Sequence, residues 1–74
     1  MADQTLDVKG QNSPLPILRA KKVLKGMSPT KTLTIVSTDP ESVADFASFC
    51  RQTGNELVSS GHLGDIYTFK IKKV

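Results

Sequence analysis

The sequence predicts an α/β (α+β) two-layer sandwich, ordered βαβαββ, in which a four-stranded mixed sheet carries two helices on one face. Three observations lead there. Two segments of helical period alternate with segments of period two, and a Gly- or Pro-bearing break marks most changes of period. The length of 74 residues provides two helices, too few to cover both faces of a sheet, so one covered and one open face is the expected arrangement. A domain this small buries roughly 60% of the surface its unfolded chain exposes, so its core must be thin.

Leu6 and Val8 alternate with polar neighbours before Gly10 and read as a first strand. From Ser13 to Met27 the period changes. Ile17, Ala20, Val23, Leu24 and Met27 share one side of a helical wheel, and Arg19, Lys21, Lys22 and Lys25 occupy the other, which describes an amphipathic helix with a basic outer face. Gly26 and Pro29 end it, and Leu33 and Ile35 begin the alternation of a second strand. Asp39 is expected to cap a second helix, with Pro40 at its first position and Gly54 as its stop. Val43, Phe46, Ala47 and Cys50 are assigned to its inner side, and Asp45, Ser48 and Gln52 to a solvated outer side. A third strand around residues 56–60 leads through Gly61 and Gly64 into a fourth, where Tyr67, Phe69 and Ile71 alternate with Thr68, Lys70 and Lys72, so the last pair is a hairpin. The whole of 1–74 reads as one domain without repeat or linker.

Hydrophobic residues at 38% and charged residues at 23% describe a globular chain rather than a disordered one. The N-terminal residues lack a basic and an apolar region, and no apolar run approaches the ~18 residues of a membrane span, so a cytoplasmic protein with no membrane partner is expected. One cysteine and one histidine exclude an intrachain disulfide and a protein zinc site. No metal and no cofactor are expected. The net charge of +3 fits weak attraction to RNA or to an acidic protein.

The stretch that bears on chemistry is Gly10-Gln11-Asn12-Ser13-Pro14-Leu15-Pro16-Ile17-Leu18-Arg19-Ala20-Lys21-Lys22. With Ser13 as N-cap, Pro14 and Pro16 fall at the first and third helical positions, where a missing N–H breaks no intrahelical bond. The Leu15 N–H is then the main backbone partner for the side chain at 13. Such a tip suits a cysteine, because the thiolate is the nucleophile and is favoured by a helix N-terminus and nearby cations; a serine gains much less. Read from the residues alone, Ser13 is a helix cap.

This stretch resembles the Cys-Pro-x-Pro signature of the TusA (SirA-like) family of sulfur carriers, with Ser13 in the place of the cysteine and Asn12, Pro14 and Pro16 as the supporting residues. The blocks Thr38-Asp39-Pro40, Asp45-Phe46, Phe49-Cys50, Gly54 with Glu56-Leu57, and Tyr67-Thr68-Phe69-Lys70-Ile71 resemble the family's later blocks in the same order, so nearly the whole chain is covered. Thr30, where a glycine is common, and Asn55, where histidine is frequent, are smaller departures. The resemblance implies the fold above and a sulfurtransferase-type role. Family members take sulfur as a persulfide on that cysteine from a cysteine desulfurase, a rhodanese or a DsrE-type protein and hand it on for tRNA thiolation, cofactor supply or sulfur oxidation. It further implies that this chain, with a hydroxyl at position 13, is inactive in transfer. Two origins fit Ser13: an engineered replacement within an otherwise intact motif, or a natural relative without the thiol.

Partner docking is expected on Leu15, Leu18, Arg19, Lys21, Lys22 and Lys25, with the protein itself a monomer. Leu15 and Leu18 fall away from the apolar stripe, which leaves two readings, an apolar rim for a partner or an irregular first turn that tucks Leu15 inward. Cys50 is read as a buried, inert thiol, and His62 as an exposed hairpin residue. Two other functions compete. One is an RNA-binding module, in a fold that would resemble the C-terminal domain of a bacterial translation initiation factor; few aromatic residues are free for stacking. The other is a regulatory protein that docks the same partners without carrying sulfur.

Overall fold

The computed structural model describes residues 3–74. Its elements are β1 (Gln4–Asp7), α1 (Leu15–Lys25), β2 (Thr32–Ser37), α2 (Ser42–Thr53), β3 (Glu56–Leu63) and β4 (Ile66–Lys72), the predicted βαβαββ order. The sheet order is β1-β2-β4-β3, with β1 parallel to β2 and β4 antiparallel to both its neighbours. β4 therefore lies between the two strands that α2 connects, a split β-α-β unit.

Alternation along the strands decides which face is covered. Leu33, Ile35 and Ser37 of β2 and Phe69 and Ile71 of β4 are buried under both helices, with register partners Leu33 to Ile71 and Ile35 to Phe69. Thr68, Lys70 and Lys72 point to the open face and are exposed. α1 contributes Pro16, Ala20 and Leu24 to the core, and α2 contributes Ser42, Phe46, Phe49 and Cys50. The rings of Phe46 and Phe69 meet at 4.9 Å between centroids, tilted by 35°.

Several sequence expectations are corrected. Val43, assigned to the inner side of α2, is 44% exposed, and Phe49 is buried instead. The helix begins at Ser42 rather than at Pro40, and the Ser42 hydroxyl is hydrogen-bonded to Ser37 Oγ on the covered sheet face, so the buried stripe is Ser42, Phe46, Phe49 and Cys50. Asp39 does not cap α2; it closes the turn before it, accepting the Glu41 N–H at 3.0 Å through Oδ1. β3 runs to Leu63 and includes Gly61, so the hairpin turns at Gly64, which has φ of +58°. His62 lies in β3, exposed and stacked on Tyr67 at 5.3 Å. Gly54 stops α2 as expected, in the left-handed conformation with its N–H on the Cys50 carbonyl at 2.9 Å.

Thr30 is the one non-glycine residue with positive φ among those described, at +73°. Its amide donates to the Lys73 carbonyl at 2.8 Å, which holds the turn to the end of β4. A β-branched residue is costly in that region, by roughly 1–2 kcal/mol. Thr30→Gly keeps the hydrogen bond and removes the clash, offset in part by the greater freedom of glycine in the unfolded chain. It is expected to stabilise by about 0.5–1 kcal/mol, read as a higher urea midpoint at unchanged slope.

Candidate functional site

The segment between β1 and α1 is sewn to the β2–α2 loop by successive hydrogen bonds. The Val8 N–H extends the β1–β2 pairing onto the Val36 carbonyl at 2.8 Å, and the Gly10 N–H, on a residue with φ of +83°, reaches Thr38 Oγ1 at 2.9 Å. At the start of the segment the Lys9 N–H donates to Asp7 Oδ1 at 2.9 Å, and this bond above all holds the Asp7 carboxyl below its ordinary value. At its end the Ser13 N–H donates to Asp39 Oδ2 at 2.6 Å. Ser13 Oγ donates to Asp45 Oδ2, also at 2.6 Å.

Ser13 is therefore not the N-cap of α1. That position belongs to Pro14, after a cis Ser13–Pro14 peptide bond, and α1 begins at Leu15 with Pro16 at its second residue. The Leu15 N–H, expected to face the side chain at 13, donates instead to the Asn12 carbonyl at 2.9 Å. Capping lost because the Ser13 hydroxyl and amide found stronger, charged acceptors in the neighbouring loop and helix.

The hydroxyl opens on a depression of about 220 Å³ between the two helices, lined by Ser13, Ile17 and Lys21 on one side and Asp45, Ser48 and Gln52 on the other. Asp45 and Ser48, expected on a freely solvated face, are half-buried there. The groups bonded to residue 13 are thus two carboxylates, with Lys21 farther along the same wall of the depression, rather than the purely cationic surroundings expected of a helix N-terminus. Neither carboxylate was identified as a site residue from sequence. The available signal was that both stand in blocks carrying the family resemblance, Thr38-Asp39-Pro40 and Asp45-Phe46.

The other residues predicted for the site lie along α1 and on the loop before it. Leu15 and Leu18 are 49% and 52% exposed, so the first turn does not tuck Leu15 inward. Arg19, Lys21, Lys22 and Lys25 are exposed on the same helix, and Asn12 is exposed on the loop before it. Pro16 is buried and anchors the first turn of α1 in the core. Cys50 is buried in the inner stripe of α2, and burial pushes its thiol up from the ordinary value. That is the opposite of an activated nucleophile. Among the described residues no group of three or more His, Cys, Asp or Glu could hold a metal ion, and no helix is long and apolar enough to cross a membrane.

Comparison with known proteins gives this arrangement a family. A family model described as sulfurtransferase TusA matches residues 4–73. The chain is 55% identical to the sulfur carrier protein TusA of Allochromatium vinosum over 71 residues, 96% of this chain and 93% of that protein. The crystal structure of a SirA-like protein from Desulfitobacterium hafniense is similar in fold, with a TM-score of 0.77 at 23% identity, over 93% of this chain and 95% of that one. A motif tip, an α+β sandwich and near full-length matches in sequence and fold converge, and the chain belongs to the TusA family of sulfur carriers.

Proposed function

We propose that residue 13 is the sulfur-transfer position of this chain, that a thiol there carries sulfane sulfur as a persulfide, and that with Ser13 the protein docks relay partners without accepting sulfur. The observation that carries this reading is the placement of Ser13: its side chain lines a depression between the two helices, just before the turn of α1 that exposes Leu15 and Leu18. In the transfer, the sulfur of a thiol at 13 attacks the terminal sulfur of a donor persulfide. One S–S bond forms as the donor's S–S bond breaks, the thiol proton passes to the departing donor sulfur, and nothing is oxidised or reduced overall. A hydroxyl forms no such bond.

Cysteine desulfurases, rhodaneses and DsrE-type proteins are the donors and acceptors this reading names, and tRNA thiolation, cofactor sulfur supply and sulfur oxidation are its outlets. The protein works in the cytoplasm, as a monomer until it docks. Two sulfur atoms must meet, so the partner covers the tip and the basic face behind it. Asn12, Pro14 and Pro16 hold the tip in shape. Arg19, Lys21, Lys22 and Lys25 attract an acidic partner, mainly through encounter rate. The RNA-binding reading is less favoured, since Phe69 is buried under the helices and the open face displays Thr68, Lys70 and Lys72 without an aromatic platform.

The test is incubation of the Ser13→Cys protein with a cysteine desulfurase and cysteine. Its intact mass should rise by whole sulfur atoms, reversibly with reductant, and the Ser13 protein should stay unchanged. Adding Lys21→Glu, Lys22→Glu and Lys25→Glu together should slow loading and weaken its salt dependence, since single exposed charges contribute only ~0.2–1 kcal/mol each. Absence of the adduct with several donors would refute the transfer assignment, and equal loading rates with and without the three lysines would refute the docking face.

A further inference from the structure

We propose that Asp45 is a positioning residue that latches the group at position 13, holding it protonated and turned toward α2 until a docked partner displaces it. The inference rests on residue 13 being the transfer position. A carboxylate can only accept, so the 2.6 Å contact between Ser13 Oγ and Asp45 Oδ2 requires the proton to sit on the residue at 13. The loop cannot swing away from that acceptor freely, because the adjacent Ser13 N–H is bound to Asp39 Oδ2 at 2.6 Å, and the other oxygen of Asp39 is held by the Glu41 N–H at 3.0 Å.

The charged groups facing position 13 come from three elements: Asp39 from the β2–α2 loop, Asp45 from α2 and Lys21 from α1. Two carboxylates bonded directly to the residue outweigh one exposed lysine on the same wall of an open depression. A neutral donor is therefore well placed there and an anion poorly placed. Since the thiolate rather than the thiol is the nucleophile, a carrier with cysteine at 13 would be held unreactive while free. A partner seated over the depression, between Lys21 and Asp45, would compete for Asp45 and release the anion at the moment of transfer. An S–H is a weak donor and an O–H a strong one, so Ser13 gives the tightest form of the latch.

The experiment follows the pH dependence of iodoacetamide alkylation in three full-length proteins carrying Ser13→Cys: that change alone, with Asp45→Asn, and with Asp45→Glu. Denaturant melts establish that each is folded, and Cys50 is counted separately by peptide mapping. The single variant should titrate at or above the ordinary thiol value of about 8.5. Asp45→Asn should lower the midpoint by about one unit, a roughly tenfold faster reaction at neutral pH, and Asp45→Glu should keep it high. A purely structural Asp45 predicts no movement of the midpoint. An unchanged midpoint with Asp45→Asn overturns the latch. If that protein does not fold, a midpoint of the single variant clearly below the ordinary value overturns it as well. Sulfur loading separates this inference from the one before. A shifted midpoint without persulfide formation upholds the latch and removes the transfer assignment, whereas loading with an unshifted midpoint does the reverse.

Discussion

Phe69→Ala is expected to cost about 3–5 kcal/mol, the range for truncating a fully buried aromatic residue. Phe69 has no exposed surface, sits at the centre of the sheet opposite Ile35 of β2 and Ser60 of β3, and packs its ring on Phe46 of α2. It joins three of the four strands to the helix that carries Asp45. The cavity left by the ring has no second layer behind it to collapse inward, because the opposite sheet face is open. A chain of this size has roughly 4–11 kcal/mol of stability in all, at about 0.05–0.15 kcal/mol per residue. The substitution should therefore shift the urea midpoint down by a large fraction or leave the protein unfolded in buffer. A loss under about 1 kcal/mol, far below the usual cost, would show that Phe69 does not hold the two layers together.

Asp39→Ala is expected to cost about 2–4 kcal/mol, because hydrogen bonds to a charged group contribute about 1.5–3 kcal/mol each and their loss strands backbone donors. Asp39 is buried although it carries a charge, and its two oxygens serve different segments, Ser13 on one side and Glu41 on the other. Its own N–H donates to Ser37 Oγ at 3.1 Å, and that hydroxyl shares a 2.8 Å hydrogen bond with Ser42 Oγ. Asp39 thus connects the end of β2, the start of α2 and the tip at position 13. Asp39→Asn keeps one carbonyl oxygen and should recover about half of the loss. Urea melts measure the total. Amide exchange at Ser13 gives the local effect, and unchanged protection there in the Asp39→Ala protein would count against this account.

The elements were legible because their signals lie within one or two turns of chain. Alternation marked β2 and β4, a helical stripe of Ala20, Leu24 and Met27 marked α1, and Gly54 stopped α2 because a left-handed residue was required there. Ser13 stood out from its neighbours in the motif, and the resemblance alone pointed to the chemistry of its position. The start of each helix was misread for a physical reason. Local rules favour Ser and Asp as caps, but Ser13 and Asp39 bind each other across 26 residues of sequence instead, and α1 and α2 begin two and three residues after them.

What the sequence determined by itself was the order of strands and helices, the apolar stripes that form a thin one-sided core, and the small side chain at the tip of the first helix. Only the tertiary structure decided that β4 enters between β2 and β3, that Val43 faces out, and that Asp45, 32 residues away, accepts the Ser13 hydroxyl. Periodicity reports which side of a helix is apolar, but the rotation of α2 against α1 is set by how Phe46, Phe49 and Cys50 fill the space over the sheet. That packing brings a carboxylate to position 13, and no pattern within either segment specifies it.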